Sequence, residues 1–160
     1  MKKYITLLLI APLLSQDYSW PTGTGKNLSS NFGEFRTTGY HLGIDVKTKG
    51  TEGHPIYAIE DGYVSRVVTN YSGFGKALYY RLTDGKIAVY AHLSTFSPKL
   101  EERLKEEQEK SQSYLTNFFP KKDEFSFSKN DVIAYSGNTG FSFGPHLHFE
   151  LRDEKGNILN

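Results

Sequence analysis

Short apolar stretches with alternating polar positions recur through the middle of this 160-residue chain. The clearest are residues 63–69, 76–82 and 87–92, and the turn signal Thr83-Asp84-Gly85 separates the last two. A period of two predicts half-buried strands, and Asp-Gly between two such stretches predicts a β-hairpin. We therefore expect a mainly β, antiparallel single domain of the barrel or sandwich kind.

The returning strand of that hairpin carries a candidate functional residue, His92. Four apolar residues occupy alternate positions along it: Ile87, Val89, Ala91 and Leu93. Side chains at every second position of a strand share a face. The sequence therefore predicts that the apolar set faces the core and that Tyr90 and His92 lie together on the opposite face.

Residues 98–127 interrupt the strand pattern. Residues 100–110 predict a surface helix with a thin Leu100/Leu104 stripe and with Glu101–Lys105 and Glu106–Lys110 as ion pairs one turn apart. Aromatic residues later in this insert can pack it onto the body. Because the insert begins shortly after His92, it either walls a substrate cleft or extends away from it.

The start of the chain has the pattern of a targeting segment. Residues 1–15 hold two lysines followed by an apolar run too short to span a bilayer, which predicts a secretory signal peptide and leaves residues 16–160 as the domain. The chain has no cysteine, which excludes a lipid-modified cysteine, disulfides and thiolate ligands. We expect export to the periplasm or cell envelope, or beyond the cell, with no stable membrane anchor after cleavage.

Charge argues against a nucleic-acid partner. The 19 basic and 18 acidic residues give a net charge of +1, and loss of Lys2 and Lys3 with the signal peptide gives 17 − 18 = −1. Nucleic-acid binding normally requires a basic patch or stripe. The lysines here are scattered, so we exclude that class of partner.

The most informative stretch is residues 136–150, a glycine-rich turn followed by His146-Leu147-His148-Phe149-Glu150. In a strand, His146, His148 and Glu150 share one face, and the two imidazoles lie roughly 6.6 Å apart along it. One can then bind a metal while the other faces a group bound to that metal. Spacing does not tell which histidine is the ligand, and a pair of surface histidines gives the same pattern. Glu150 can orient a histidine or pair with Arg152.

A second pair of candidate ligands is His41 and Asp45. Both are ligand types that zinc accepts, but four residues of extended chain would separate them by roughly 13 Å. The backbone must therefore bend between them. Gly43 lies where a bulge or turn can supply that bend, since glycine tolerates backbone angles that other residues avoid.

Three ordered motifs together resemble the signatures of the lysostaphin-type (LytM-like) zinc endopeptidases, bacterial enzymes that cut peptidoglycan cross-bridges. The motifs are His41-x-x-x-Asp45, Tyr90-Ala-His92-Leu-Ser94, and the stretch 136–150. The similarity runs from about Asn31 to Leu151. The segment Asn31-Phe-Gly-Glu-Phe-Arg36 has one more residue before its arginine than the family's segment, and an ordinary turn packing two phenylalanines is the alternative.

The resemblance assigns roles within a duplicated-hybrid-motif type of fold. It implies one zinc ion per chain, with His92 and His146 as the catalytic pair and three metal ligands: His41, Asp45 and His148. A two-histidine, one-aspartate set leaves one open position, the pattern of a catalytic site. Which of the two catalytic histidines is the general base stays open.

The resemblance also implies a substrate. We expect a secreted zinc metalloendopeptidase that hydrolyses the peptide cross-links of peptidoglycan, with D-alanyl–diaminopimelate favoured over pentaglycine. The alternative is a non-catalytic, peptidoglycan-binding activator of cell-wall amidases, because some relatives have lost zinc ligands and act in that way. All five site residues are present here, which favours the enzyme.

Overall fold

A computed structural model describes residues 17–37 and 39–159, so the predicted signal peptide lies outside the described residues. Within them, thirteen strands and one helix follow one another along the chain. The first strands are β1 (Leu28–Ser30), β2 (Phe35–Arg36), β3 (Gly39–Tyr40), β4 (Ile44–Lys47), β5 (Pro55–Tyr57), β6 (Gly62–Thr69), β7 (Lys76–Leu82) and β8 (Ile87–Phe96). Then come α1 (Pro98–Ser111), β9 (Thr116–Phe118), β10 (Ser126–Phe127), β11 (Val132–Ser136), β12 (His146–Arg152) and β13 (Ile158–Leu159).

Eleven of these strands form one open, antiparallel sheet. Its main order is β1-β4-β12-β8-β7-β6-β10; β11 pairs with β8 and β5, β9 pairs with β6, and β13 pairs with β12. Strands β2 and β3 form a separate hairpin. The predicted mainly β, antiparallel architecture is confirmed. No helix in the described part of the chain is long and apolar enough to cross a membrane.

The core lies against one face of the central strands. Tyr80, Tyr90, Ile133 and Leu147 are fully buried members of it. On β12, Leu147 joins this core while His146, His148 and Glu150 point to the other face, as strand alternation requires. The same strand therefore provides core packing on one side and candidate ligands on the other.

The predicted facing of β8 is correct for His92 and Leu93 but wrong for Tyr90 and Ala91, and a β-bulge explains the difference. Tyr90 pairs with Phe149 across the strands and packs edge-on against its ring on the core side, whereas Ala91 lies opposite His148. Between Leu78↔Tyr90 and Lys76↔Leu93 the register gains one residue on β8, and His92 there has φ of +59°. An extra residue reverses the alternation, so His92 joins the face of His148 and Tyr90 does not.

The insert is built into the sheet edge. α1 is the one helix among the described residues, and its buried side is the predicted Leu100/Leu104 stripe. The predicted pairs within the helix do not form. Glu101 instead reaches the body, where it accepts hydrogen bonds from Lys76 Nζ (2.8 Å) and the Phe96 backbone N–H (2.9 Å). β9 and β10 then pair with β6.

Candidate active site

Three buried side chains, two from neighbouring strands and one from the loop before them, converge on one point. The distances are 3.0 Å from His41 Nε2 to His148 Nδ1, 2.9 Å from His148 Nδ1 to Asp45 Oδ1, and 3.1 Å from His41 Nε2 to Asp45 Oδ1. β4 and β12 bring the last two together, because His148 lies directly opposite Asp45 in their ladder. These are the three residues that the resemblance assigned to the metal.

His41 is held by the chain that precedes it. It follows β3, and its Nδ1 donates to the Asn31 carbonyl oxygen at 2.8 Å. Since a carbonyl only accepts, the proton lies on Nδ1 and the lone pair of Nε2 faces Asp45 and His148. The backbone bends between His41 and Asp45 at Gly43, as expected.

Gly43 is required for a reason that the sequence did not show. Its backbone is not left-handed; instead, a Cβ there would lie 2.4 Å from the Phe149 carbonyl oxygen and 3.0 Å from His148 Cε1. The bend presses the chain directly onto β12. Glycine thus allows close approach here, rather than an unusual backbone angle.

His148 is oriented from behind by Glu150. Its Nε2 donates to Glu150 Oε1 at 3.0 Å, while Glu150 Oε2 accepts from Arg152 Nε at 2.8 Å. Both predicted roles of Glu150 therefore occur together. Burial alone would raise the pKa of Glu150, but its hydrogen bonds with His148 and Arg152 outweigh burial and lower it. The carboxylate stays charged and fixes the proton of His148 on Nε2.

Asp45 is likewise held as an anion. Arg36 donates to its Oδ2 at 2.8 Å and to Ser30 Oγ at 2.7 Å. Burial would raise the pKa of Asp45, yet its polar contacts with His146, His148 and Arg36 outweigh burial and hold that pKa well below its usual range. With Oδ2 occupied by Arg36, Oδ1 is the oxygen that faces the two imidazoles.

This donor set fits a metal ion. With both imidazoles neutral, the tautomers set by Asn31 and Glu150 turn two nitrogen lone pairs and a carboxylate oxygen toward one another at 2.9–3.1 Å. Such an arrangement is repulsive unless a cation lies between the three atoms. Tetrahedral zinc, with ligands at about 2.0–2.2 Å, separates its ligand atoms by roughly 3.3 Å. The observed triangle differs from that by a few tenths of an ångström.

The other two predicted residues lie beside this triangle. The rings of His92 and His146 are 4.7 Å apart between centroids, and His146 Nε2 is 3.5 Å from Asp45 Oδ1. His92 Nδ1 donates to the Thr139 carbonyl oxygen and His146 Nδ1 to that of Gly144, both at 2.8 Å. Each ring therefore has Nε2 as its free acceptor.

The environment of His92 favours a neutral imidazole. Burial lowers its pKa to about 4, and the hydrogen bond to the Thr139 carbonyl only partly opposes that effect. Thr139 is itself fixed, because its hydroxyl donates to the Leu93 carbonyl and accepts from the Lys76 backbone N–H, both at 2.9 Å. At neutral pH, His92 is thus a positioned base.

A cleft of about 750 Å³ opens onto Asp45 of the triangle and onto the pair His92 and His146. Its lining includes three cationic residues, Arg36, Lys47 and Lys49, and two aromatic residues, Phe141 and Phe143. No residue of the insert is among those lining the cleft, within the ranges that the structure describes. The expectation that the insert walls the cleft is therefore not met.

Sequence reasoning missed several residues that orient the site. Thr139 was only part of a turn motif, and Asn31 acts through a carbonyl that every residue has. Arg36 was noticed through the resemblance, but its contact with Asp45 was not predicted. The alternative, a turn packing two phenylalanines, is wrong because Phe32 and Phe35 are 36% and 78% exposed.

Comparison with known proteins gives a family match. The model of Peptidase family M23 matches residues 39–116, a range that contains His41, Asp45 and His92. DD-carboxypeptidase/endopeptidase Mpg of Neisseria meningitidis is 31% identical over 112 residues, which are 70% of this chain and 20% of that protein. The chain spans about a fifth of the length of the first curated relatives it matches.

Solved structures share the fold. A zinc-containing peptidase from Vibrio cholerae has a TM-score of 0.66 at 22% identity, covering 90% of this chain and 39% of that one. The catalytic domain of the antimicrobial peptidase lysostaphin from Staphylococcus simulans has a TM-score of 0.60 at 21% identity, covering 84% and 88%. At these identities the likeness concerns the fold alone.

Proposed function

Because this chain belongs to peptidase family M23, we propose that it is a zinc-dependent endopeptidase that hydrolyses peptide cross-links of bacterial peptidoglycan. The resemblance drawn from the three motifs is confirmed by the family match. The proposal goes further, to the metal, the reaction and the substrate. With the predicted signal peptide, it assigns the activity to the periplasm or cell envelope.

One observation carries the proposal: the convergence of metal-ligand atoms beside two further imidazoles, those of His92 and His146. His41 Nε2, Asp45 Oδ1 and His148 Nδ1 would hold the metal, and each has its other polar atom tied to a fixed partner. Three protein ligands of this kind leave one position open. When bound, zinc would supply a Lewis acid for the peptide carbonyl and would lower the pKa of a water.

The two remaining histidines supply proton transfer. His92 is neutral at pH 7, so its Nε2 can take a proton from the attacking water, and the imidazolium can return one to the leaving amine. His146 has the same tautomer and lies on the same side of the centre. Either histidine, once protonated, can also stabilise the negative charge that develops on the carbonyl oxygen. Both are proposed as catalytic residues.

The test is a digest of purified sacculi beside casein, using protein loaded with one equivalent of zinc. Mass spectrometry of the products should show cross-linked muropeptide dimers converted to monomers, with the sugar–peptide amide intact and casein uncut. His41→Ala protein treated in the same way is the control. Release of stem peptides from the glycan would instead indicate an amidase. General cleavage of casein would indicate a protease that acts on ordinary protein substrates.

A further inference from the structure

We propose that the cleft selects a cross-link that carries a free carboxylate next to the scissile amide, with Lys47 as the main specificity-determining residue. This inference rests on the proposed function, because it names the substrate of the same site. It follows from the position of Lys47 on β4, from the positive charge of the cleft, and from the two exposed phenylalanines that also line it.

Strand pairing places Lys47 beside the catalytic pair. It is two residues after Asp45 on β4, on the same face, and it lies directly opposite His146 in the β4–β12 ladder. Directly opposed side chains have Cβ atoms roughly 5 Å apart. The lysine side chain is exposed, so its ammonium group can reach a ligand that spans the metal triangle and His146.

The cleft around Lys47 is cationic. Lys49 and Arg36 also line the cleft, and Asp45 is the one carboxylate among the described lining residues. Neither Lys47 nor Lys49 forms an ion pair with any carboxylate in the part of the chain that the structure describes. A single exposed lysine is ordinary solvated surface. Several cations in a concave site with one buried acid attract an anionic ligand.

The cleft is also lined by two aromatic residues. Phe141 and Phe143 are 69% and 94% exposed, and their rings pack edge to face at 5.2 Å. Such rings provide apolar surface for the hydrocarbon part of a peptide. The cleft therefore matches a ligand with one anionic group and one aliphatic chain, close to the bond that faces the histidines.

This combination distinguishes the two candidate cross-links. A glycine bridge has neither charge nor side chain near its internal amides, so it would contact neither the cationic nor the aromatic residues of the cleft through such groups. In a D-alanyl–diaminopimelate link, the carbon bonded to the scissile nitrogen carries a carboxylate and continues into an aliphatic chain. A Lys47 ammonium would form a charge-assisted hydrogen bond with that carboxylate.

The experiment compares two substrates that differ only at this group. Zinc-loaded protein is given a D-alanyl–diaminopimelate cross-linked dimer, either as the free acid or with that carboxyl amidated. Lys47→Gln removes the proposed contact, and Lys105→Gln removes the same charge from an exposed position on α1 as a matched control. Binding of the acid and amidated leaving peptides to each zinc-loaded protein is measured by calorimetry.

The wild type and Lys105→Gln should prefer the acid. Lys47→Gln should lose about 5- to 20-fold in kcat/KM on the acid and far less on the amide, with most of the loss in KM. Equal cleavage of acid and amide by the wild type, or the same preference in both variants, would overturn the proposal. If none of the three proteins cuts either dimer, the proposed function is wrong. Calorimetry then tests the Lys47 site by itself: a preference for the acid peptide that Lys47→Gln loses supports the site, and equal binding of both peptides contradicts it.

Discussion

The active-site face of the sheet and the insert use charged side chains in opposite ways. At the site, Asp45 and Glu150 are 6% and 2% exposed, and three of their four carboxylate oxygens have a fixed hydrogen-bond donor, while Asp45 Oδ1 faces the imidazoles. In the insert, Arg103 lies near Glu106, Glu107 and Glu124 at once, all on the surface. Burial makes each polar contact of the site indispensable, whereas exposed pairs can be exchanged at little cost.

Apolar contacts show the reverse distribution. The insert is attached through Leu100, Leu104 and Phe118, which enter the main core. The active-site face instead depends on backbone contact so close that no side chain fits, as at Gly43 and Gly137. The comparison predicts that substitutions at the site change metal content and turnover, while those in the insert change stability.

The largest effect is expected from the ligand residues. Alanine at His41, Asp45 or His148 leaves at most two protein ligands, so bound zinc and cross-link cleavage should both fall by about 10³-fold or more. Zinc is measured by elemental analysis after dialysis. His54→Ala, which removes a half-buried histidine outside the centre, should keep both properties. Full activity in zinc-free His41→Ala protein would end the metallopeptidase hypothesis.

The next effect separates catalysis from metal binding. His92→Ala and His146→Ala remove no ligand, so each should retain close to one zinc per chain while turnover falls by about 10²–10⁴-fold. Zinc content and single-turnover rates are measured on the same samples. If His146→Ala empties the site while His148→Ala stays loaded, the roles of these two histidines are reversed.

A substitution in the insert tests the other half of the comparison. Leu104→Ala should lower the free energy of unfolding by about 2–5 kcal/mol, because the side chain is fully buried and truncation leaves a cavity. Urea titration of the zinc-loaded protein measures the change, and zinc content should not move. Leu115→Ala, at a half-exposed position of the same insert, is the matched control. If the Leu104→Ala protein loses zinc under conditions where it is fully folded, the insert and the active site are coupled.

The smallest expected effect concerns Glu150. Glu150→Gln preserves the shape of the side chain but weakens the acceptor that orients His148, so zinc affinity should fall by about 10–100-fold. Competition with a chelator of known affinity measures it. The exposed Glu154→Gln serves as the control. Unchanged affinity would mean that strand pairing alone is sufficient to orient His148.

Much of the fold could be predicted because local signals agree there with the global structure. β7 has the bounds that alternation indicated, and the hairpin turn lies at Asp84-Gly85. Asn130, in the turn before β11, has φ of +71°, in the left-handed region that asparagine tolerates. Such features depend on neighbours in sequence, which a single chain displays.

The remaining features depend on partners that lie far away in sequence. The bulge at His92 is visible only in its register against β7, and the alternation of residues 87–93 taken alone placed Tyr90 on the wrong face. Glu101 pairs with Lys76 rather than Lys105 because the sheet brings Lys76 within reach. The need for glycine at residue 43 arises from β12, which is about a hundred residues downstream.

The span of the metal triangle has a consequence for folding. Asp45 and His148 are 103 residues apart, so the proposed ligand set exists only after the chain has closed a loop of that length. Metal bound to the folded state alone stabilises it by RT ln(1 + [M]/Kd), about 2.7 kcal/mol at a free concentration one hundred times Kd. In a chain without cysteines, such an ion would be a reversible counterpart of a disulfide. Zinc supply would then govern the lifetime of the folded protein as well as its rate of hydrolysis.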